Sequence, residues 1–138
     1  MKNDLMRAYR SICMCGSYMT NIECFAAVVE SPAPRFYIDP RRAHLYISPM
    51  RHGDMSRIEG LSPLRRQMYE DLFDVVLRLS ASSTHYGKCL YDLLRIAVKQ
   101  PAPRFYIHPK RMEQIWLEMS RETKEKRKEL QRRWDRKN

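Results

Sequence analysis

Two pairs of cationic residues stand at equivalent places in the chain and offer the clearest chemistry in the sequence. Arg41 and Arg42 directly follow one proline, and Lys110 and Arg111 directly follow another. Proline favours the first position of a helix, so each pair is predicted to lie in a first helical turn. Because the helix macrodipole already makes that end positive, cations there typically cost about 0.3 kcal/mol or more each. A phosphate bound by free backbone N–H groups and both cations would explain the placement.

These cations follow a repeated segment. The sequence PAPRFYI occupies residues 32–38 and recurs without change at residues 101–107, an offset of 69 residues. At the same offset the flanking residues also correspond, SPAPRFYIDPRRA against QPAPRFYIHPKRM. An identity of seven residues in a chain of 138 is not a chance event. It predicts a tandem duplication of a helix, an extended proline-rich connector and a second helix.

Side chains alternate along an extended connector, which separates its apolar residues from its polar ones. Phe36 and Ile38 share the face expected to anchor the connector in the core, and Arg35 and Tyr37 share the other. An outward arginine and tyrosine suit a phosphate and a sugar or base edge. Alternatively, the arginine stacks on the tyrosine or bonds helix carbonyls and simply locks the turn. The corresponding residues of the second copy are Arg104, Phe105, Tyr106 and Ile107.

Positive charge is concentrated on the first repeated motif and the C-terminal tail. The formal net charge is +10, of which residues 31–66 carry +4 and residues 120–138 carry +5. Interleaved glutamates in the tail support a helix through pairs four residues apart, although a solvated or frayed helix has the same composition. Such a charge favours a polyanionic partner, above all nucleic acid. The residues predicted to contact it are Arg35, Tyr37, Arg41, Arg42, Arg104, Tyr106, Lys110, Arg111, Lys124, Lys128, Arg132 and Arg133.

Caps and prolines indicate where the positioning helices begin and end. A helix over residues 4–14 is followed by one that Thr20 or Asn21 caps and that ends at Glu30. The next helix is predicted to have Asp39 as N-cap and Pro40 first and to end at Ser48-Pro49, before a loop over 50–61. A helix then starts at Ser62-Pro63, and its apolar face is predicted to carry Leu64, Met68, Leu72, Val75 and Leu79. The second copy opens near Lys88, and a long helix follows His108-Pro109 with an apolar face of Met112, Ile115, Trp116 and Met119.

These elements give an all-α, small helical domain with four predicted segments. They are a first repeat unit with an N-terminal helix (1–61), a linking amphipathic helix (62–84), a second repeat unit (85–120) and a basic helical tail (121–138). A helix, a rigid connector and a helix with a basic start resemble a helix-turn-helix unit, over residues 20–48 and 89–119. The connector departs from the usual short glycine turn, since it has seven residues and two prolines.

The sequence therefore predicts a cytoplasmic, non-enzymatic nucleic-acid-binding protein that favours double-stranded DNA over RNA. A regulatory or architectural protein of a bacterium, phage or mobile element would have this size. The alternative is a structural or assembly subunit of a nucleic-acid-containing particle or RNA–protein enzyme, whose motifs dock on protein. A protein partner or a homo-oligomer is compatible with either function.

Other sites are not predicted. Four scattered glycines give no phosphate-binding glycine loop, and Glu70, Asp71 and Asp74 fall on the polar side of a predicted amphipathic helix, where acids are ordinary. Cys13 and Cys15 form a C-x-C pair rather than the usual zinc spacing, so we expect neither a metal nor another cofactor. No apolar run approaches the roughly 18 residues of a membrane span.

Overall fold

Helices form the regular structure of the chain in the computed structural model, which describes residues 1–14 and 20–137. The all-α class predicted from the sequence is confirmed. Over these residues there are seven helices and no strand: α1 (Lys2–Met14), α2 (Asn21–Glu30), α3 (Pro40–Arg51), α4 (Ser56–Glu59), α5 (Pro63–Ala81), α6 (Leu90–Ala97) and α7 (Pro109–Lys137).

Short-range capping bonds mark the starts of α2 and α3. Thr20 and Glu23 form a reciprocal capping box at the start of α2, in which the Thr20 side chain accepts from the Glu23 backbone N–H at 3.2 Å. At the start of α3 the Asp39 carboxylate accepts from the Arg41 backbone N–H at 2.8 Å, and Pro40 takes the first position. These predicted boundaries are confirmed.

The predicted end of α3 at Ser48-Pro49 is wrong, because the helix continues through the proline to Arg51. A proline inside a helix has no N–H to donate, so the carbonyl of Leu45 loses its usual partner. The Arg57 guanidinium supplies that bond, with 2.9 Å between its Nη1 and the Leu45 oxygen. The predicted loop over residues 50–61 accordingly holds the last residues of α3 and the short helix α4.

We expect Arg57→Ala to lower the free energy of unfolding by about 1 kcal/mol, because it leaves the Leu45 carbonyl without a protein donor. Pro49→Ala restores a backbone N–H four residues after Leu45, so in that background Arg57→Ala should cost clearly less. Chemical denaturation of the two single variants and the double variant measures the coupling. An equal cost of Arg57→Ala in both backgrounds would show that the guanidinium does not compensate for the proline.

The helix that follows each connector packs against the helix that precedes the other connector. α7 packs on α2 and α3 packs on α6, whereas α1 packs on α2 and α5 on α6. In a helix-turn-helix the short turn joins two neighbouring helices. Here α2 and α3, like α6 and α7, make no close approach over the described residues, so the arrangement differs from that unit.

The two connectors cross at the centre of this arrangement. Ala33 and Ala102 form an antiparallel bridge, with both N–H···O=C distances at 2.9 Å. Beside it, the Phe36 N–H donates to the Val98 carbonyl at 2.9 Å, and the Phe105 N–H donates to the Val29 carbonyl at 3.2 Å. The two bonds of each pair correspond to each other when the residue numbers are shifted by 69. The duplication itself stays a prediction, which superposition of residues 20–47 on residues 89–116 would test.

A single hydrophobic cluster surrounds the crossing point. Phe36 and Phe105 are buried as predicted, at 0% and 3% exposure, whereas Ile38 and Ile107 are only half-buried against the cluster. Met112 and Ile115 fix the first part of α7 on the same core. The connectors are therefore part of the core and hold the starts of α3 and α7 in place.

Candidate nucleic-acid interface

The two connector tyrosines are held by carboxylates from distant helices. The Tyr37 hydroxyl donates to Asp4 of α1, and the Tyr106 hydroxyl donates to Asp71 of α5. Burial and the bond to Asp4 raise the pKa of Tyr37 above its usual range, and burial and the bond to Asp71 do the same for Tyr106. Both hydroxyls therefore remain neutral donors that tie the connectors to α1 and α5.

Each tyrosine ring also stacks on the phenylalanine of the other copy. The ring centroids of Tyr37 and Phe105 lie 6.1 Å apart, and those of Phe36 and Tyr106 lie 6.0 Å apart. Tyr106 is the one non-glycine residue in the described ranges with a positive φ, 58°. That conformation disfavours an L side chain, so the stacking and the Asp71 bond must offset its cost.

The connector arginines lie over the tyrosine rings. Arg35 stands 5.8 Å from the Tyr37 centroid, and Arg104 stands 5.9 Å from the Tyr106 centroid. Arg104 is partly covered and pairs with Glu30 at 3.5 Å, whereas Arg35 is exposed and forms no ion pair in residues 1–14 and 20–137. Of the two interpretations of the motif, this geometry fits the one in which arginine stacks on tyrosine and locks the turn.

The cations at the two helix starts differ in their neighbours. Arg41 and Arg42 are exposed and form no ion pair with any described residue. Arg111 lies 3.7 Å from Glu118, which also accepts from Lys2 at 3.3 Å. At the start of α3 the Asp39 carboxylate caps the backbone, but the two guanidinium groups have no ion-pair partner among the described residues, while the start of α7 is partly neutralised by Glu118.

The remaining predicted contacts lie on the free part of α7. This helix of 29 residues is about 40 Å long, and every residue from 121 to 137 is exposed. The Glu129 carboxylate forms ion pairs with Arg132 at 3.9 Å and with Arg133 at 3.3 Å. Such exposed pairs contribute only about 0–1 kcal/mol, so they leave the cations available to a stronger anion. Lys124 and Lys128 form no ion pair within the described ranges.

Sequence reasoning missed the carboxylates that fix the tyrosines. Asp71 was interpreted as an ordinary surface acid, yet it accepts a bond from a residue 35 positions away. Asp4 does so across 33 positions. One signal was present in the chain: the two aspartates are spaced 67 residues apart, close to the 69-residue offset of the tyrosines.

The described residues contain neither a candidate metal site nor a candidate membrane span. No group of three or more His, Cys, Asp or Glu side chains there is placed to hold a metal ion, and Cys15 of the C-x-C pair lies outside the described residues. In those same ranges no helix is both long enough and apolar enough to cross a membrane. Comparison of the chain with models of protein families, with curated proteins and with solved structures gives no significant match.

Proposed function

We propose that the protein binds nucleic acid, double-stranded DNA in preference to RNA, through phosphate contacts made by exposed cations. The observation that carries the proposal is the pair Arg41 and Arg42 at the start of α3. Both side chains are exposed at a positive helix end, and neither forms an ion pair in the part of the chain that is described. A phosphate offers the negative charge that the two guanidinium groups lack, although Pro40 has no N–H and the Arg41 N–H already bonds to Asp39.

The tail adds a second, independent source of phosphate contacts. Residues 120–138 carry a net charge of +5, and the described residues of this stretch from 121 onward are all exposed. A long cationic helix that projects from a folded domain can follow a phosphate backbone without reading bases. The role that fits both parts is non-enzymatic, a regulatory or architectural protein of the kind carried by bacteria, phages or mobile elements, that acts in the cytoplasm.

The tail also supports a second candidate function, that of an assembly subunit in a nucleic-acid-containing particle or RNA–protein enzyme. Leu130 and Trp134 lie four residues apart on α7 and are each 63% exposed. An exposed apolar pair on one helix face suits a protein partner. The two functions differ in which tail residues matter, the cations for phosphate and the apolar pair for protein.

The direct test is a titration of the full chain into a labelled random-sequence DNA duplex and into RNA, at several salt concentrations. We expect the duplex to bind more tightly, with an affinity that falls steeply as salt rises, because each phosphate bound by a cation contributes a slope of about 0.9 in log K against log salt. Absence of binding to both at low salt would overturn the proposal.

Deletion of residues 122–138 should weaken duplex binding and flatten its salt dependence. The slope should fall by about 0.9 for each of Lys124, Lys128, Arg132 and Arg133 that contacts a phosphate, while the ranking of different duplex sequences stays the same. Thermal stability should be unchanged, because the deleted side chains that are described are all exposed. Leu130→Ala/Trp134→Ala is the matched control. An unchanged slope after deletion would exclude the tail cations from the interface.

A further inference from the structure

A buried tyrosine hydroxyl without a partner lies where α3 meets α5. Tyr69 of α5 is fully buried, and its ring stacks on Tyr46 of α3 with 4.4 Å between centroids. Its hydroxyl oxygen is closed to solvent and has no hydrogen-bond partner among the described residues. Leaving such a group unpaired costs about 1–3 kcal/mol, so native proteins rarely keep one without a reason.

Two arginines flank this hydroxyl. Arg42 and Arg65 are each the third residue of their helix, in the first turns of α3 and α5. Arg65 lies one helical turn before Tyr69 on α5, and Arg42 lies one turn before Tyr46 on α3, so both arginines lie on the faces that carry the two stacked rings. Burial raises the pKa of the Tyr69 hydroxyl, and Arg65 and Arg42 oppose that rise. The Arg65 guanidinium does not, however, meet the geometry of a hydrogen bond to the hydroxyl. The unpaired hydroxyl therefore lies on the same side of the α3–α5 pair as two cations of first helical turns, one of which follows the Asp39 cap.

Arg42 and Arg65 differ in their ion pairing from a neighbouring arginine and from the equivalent arginine of the second copy. Neither Arg42 nor Arg65 forms an ion pair with a described residue, whereas the adjacent Arg66 pairs with Glu70 at 3.2 Å. In the second copy Arg111 occupies the place of Arg42, and its Nη1 lies 3.7 Å from the Oε1 of Glu118. The residue that corresponds to Glu118 in the first copy is Pro49, which carries no charge. The arginine at this position therefore has no ion-pair partner among the described residues in the first copy and has one in the second.

We propose that Arg42, Arg65 and the Tyr69 hydroxyl bind one phosphodiester group of a nucleic acid at the junction of α3 and α5. This inference rests on the proposed function and adds two residues that the sequence did not indicate. Two guanidinium groups supply planar donors to phosphate oxygens, and the neutral tyrosine donates a further bond to the same group. Both arginines are exposed, so a phosphate can reach them from solvent, and its contact with the enclosed hydroxyl requires the side chains that cover the hydroxyl to move.

The test compares Arg42→Gln, Arg65→Gln and Tyr69→Phe with the matched control Arg66→Gln. Each arginine variant should weaken binding of the DNA duplex about tenfold, the effect of losing about 1.4 kcal/mol of charge-assisted bonding. The slope of log K against log salt should fall by about 0.9. Arg66→Gln should change affinity less than about twofold, because Arg66 lies outside the three proposed contacts and its guanidinium faces Glu70.

Tyr69→Phe separates binding from folding. It removes an unpaired hydroxyl but keeps the stacked ring, so the melting temperature should hold or rise while duplex affinity falls a few-fold. A lower melting temperature with unchanged affinity would assign the hydroxyl to the fold and overturn the site. Arg42→Lys and Arg65→Lys should restore the salt slope but only part of the affinity, since lysine lacks the planar fork.

Other outcomes separate the failure of this site from that of the proposed function. If the unaltered chain binds no nucleic acid, both fail. If it binds the duplex and the arginine variants and Tyr69→Phe bind equally well, only the site fails. A titration with inorganic phosphate distinguishes the source of the anion. Stabilisation of the unaltered chain, but not of Arg65→Gln, by inorganic phosphate, with duplex affinity equal in both, would show a free-phosphate site instead.

Discussion

Phe36→Ala will lower the free energy of unfolding by about 3–5 kcal/mol, the usual cost of removing a fully buried aromatic side chain. Phe36 is 0% exposed and stacks on Tyr106 of the other copy, so its loss leaves a cavity at the crossing of the connectors. Phe105→Ala should have an effect of similar size, because Phe105 is 3% exposed and stacks on Tyr37. Domains of this size are typically stable by only about 5–15 kcal/mol, so we expect the double variant to be largely unfolded.

Urea denaturation followed by circular dichroism measures these changes. Ile22→Ala is the control, since Ile22 is 75% exposed and its truncation should cost within about 0.5 kcal/mol. If Phe36→Ala costs no more than Ile22→Ala, the connectors are not part of the cooperative core. The position of the helix starts would then need another explanation.

Replacing Arg41, Arg42, Lys110 and Arg111 with glutamine should abolish most duplex binding and leave the fold intact. Removal of charge-assisted bonds predicts a decrease of about 1–3 kcal/mol in binding free energy for each pair, and the salt slope should fall by about 0.9 for each phosphate that is no longer bound. The free energy of unfolding should rise by about 0.3 kcal/mol for each cation removed from a positive helix end. Arg111 is the exception, because its exposed pair with Glu118 contributes about 0–1 kcal/mol.

Thermal melts and salt titrations on the same samples decide the outcome. Arg10→Gln/Arg78→Gln removes two exposed charges away from the helix starts and is the control for Arg41→Gln/Arg42→Gln. A quadruple variant that melts much lower but binds the duplex as tightly would show that these cations serve the fold. In that case the assembly-subunit function replaces DNA binding.

Most helix starts could be predicted from the sequence because the interactions that set them are local. The bond from Thr20 to Glu23 spans three residues, and the bond from Asp39 to Arg41 spans two. Helical periodicity predicted the burial of Leu72 and Val75 in α5, but it missed the buried Tyr69 and Val76. The end of α3 could not be predicted, because the donor that Pro49 lacks is supplied by Arg57, which follows the helix in the chain.

In the repeated motif, too, the sequence predicts the local direction of a side chain but not its distant partner. Alternation along an extended chain placed Phe36 in the core and Arg35 at the surface, as the structure has them. The same pattern predicted an outward Tyr37, yet its hydroxyl bonds to Asp4, 33 residues earlier. Alternation describes the direction of a side chain from its own backbone. It carries no information about which distant helix will lie beside that side chain.

Which copy each helix packs against was decided by the tertiary structure alone. The sequence determined the helices, the rigid connectors and the positions of the cations, since propensity, capping and charge are properties of short stretches. It left open whether α3 packs on α2 or on α6, because either helix offers an apolar face. The connectors settle the choice: they pair through Ala33 and Ala102 across the centre, and so direct each following helix to the other copy.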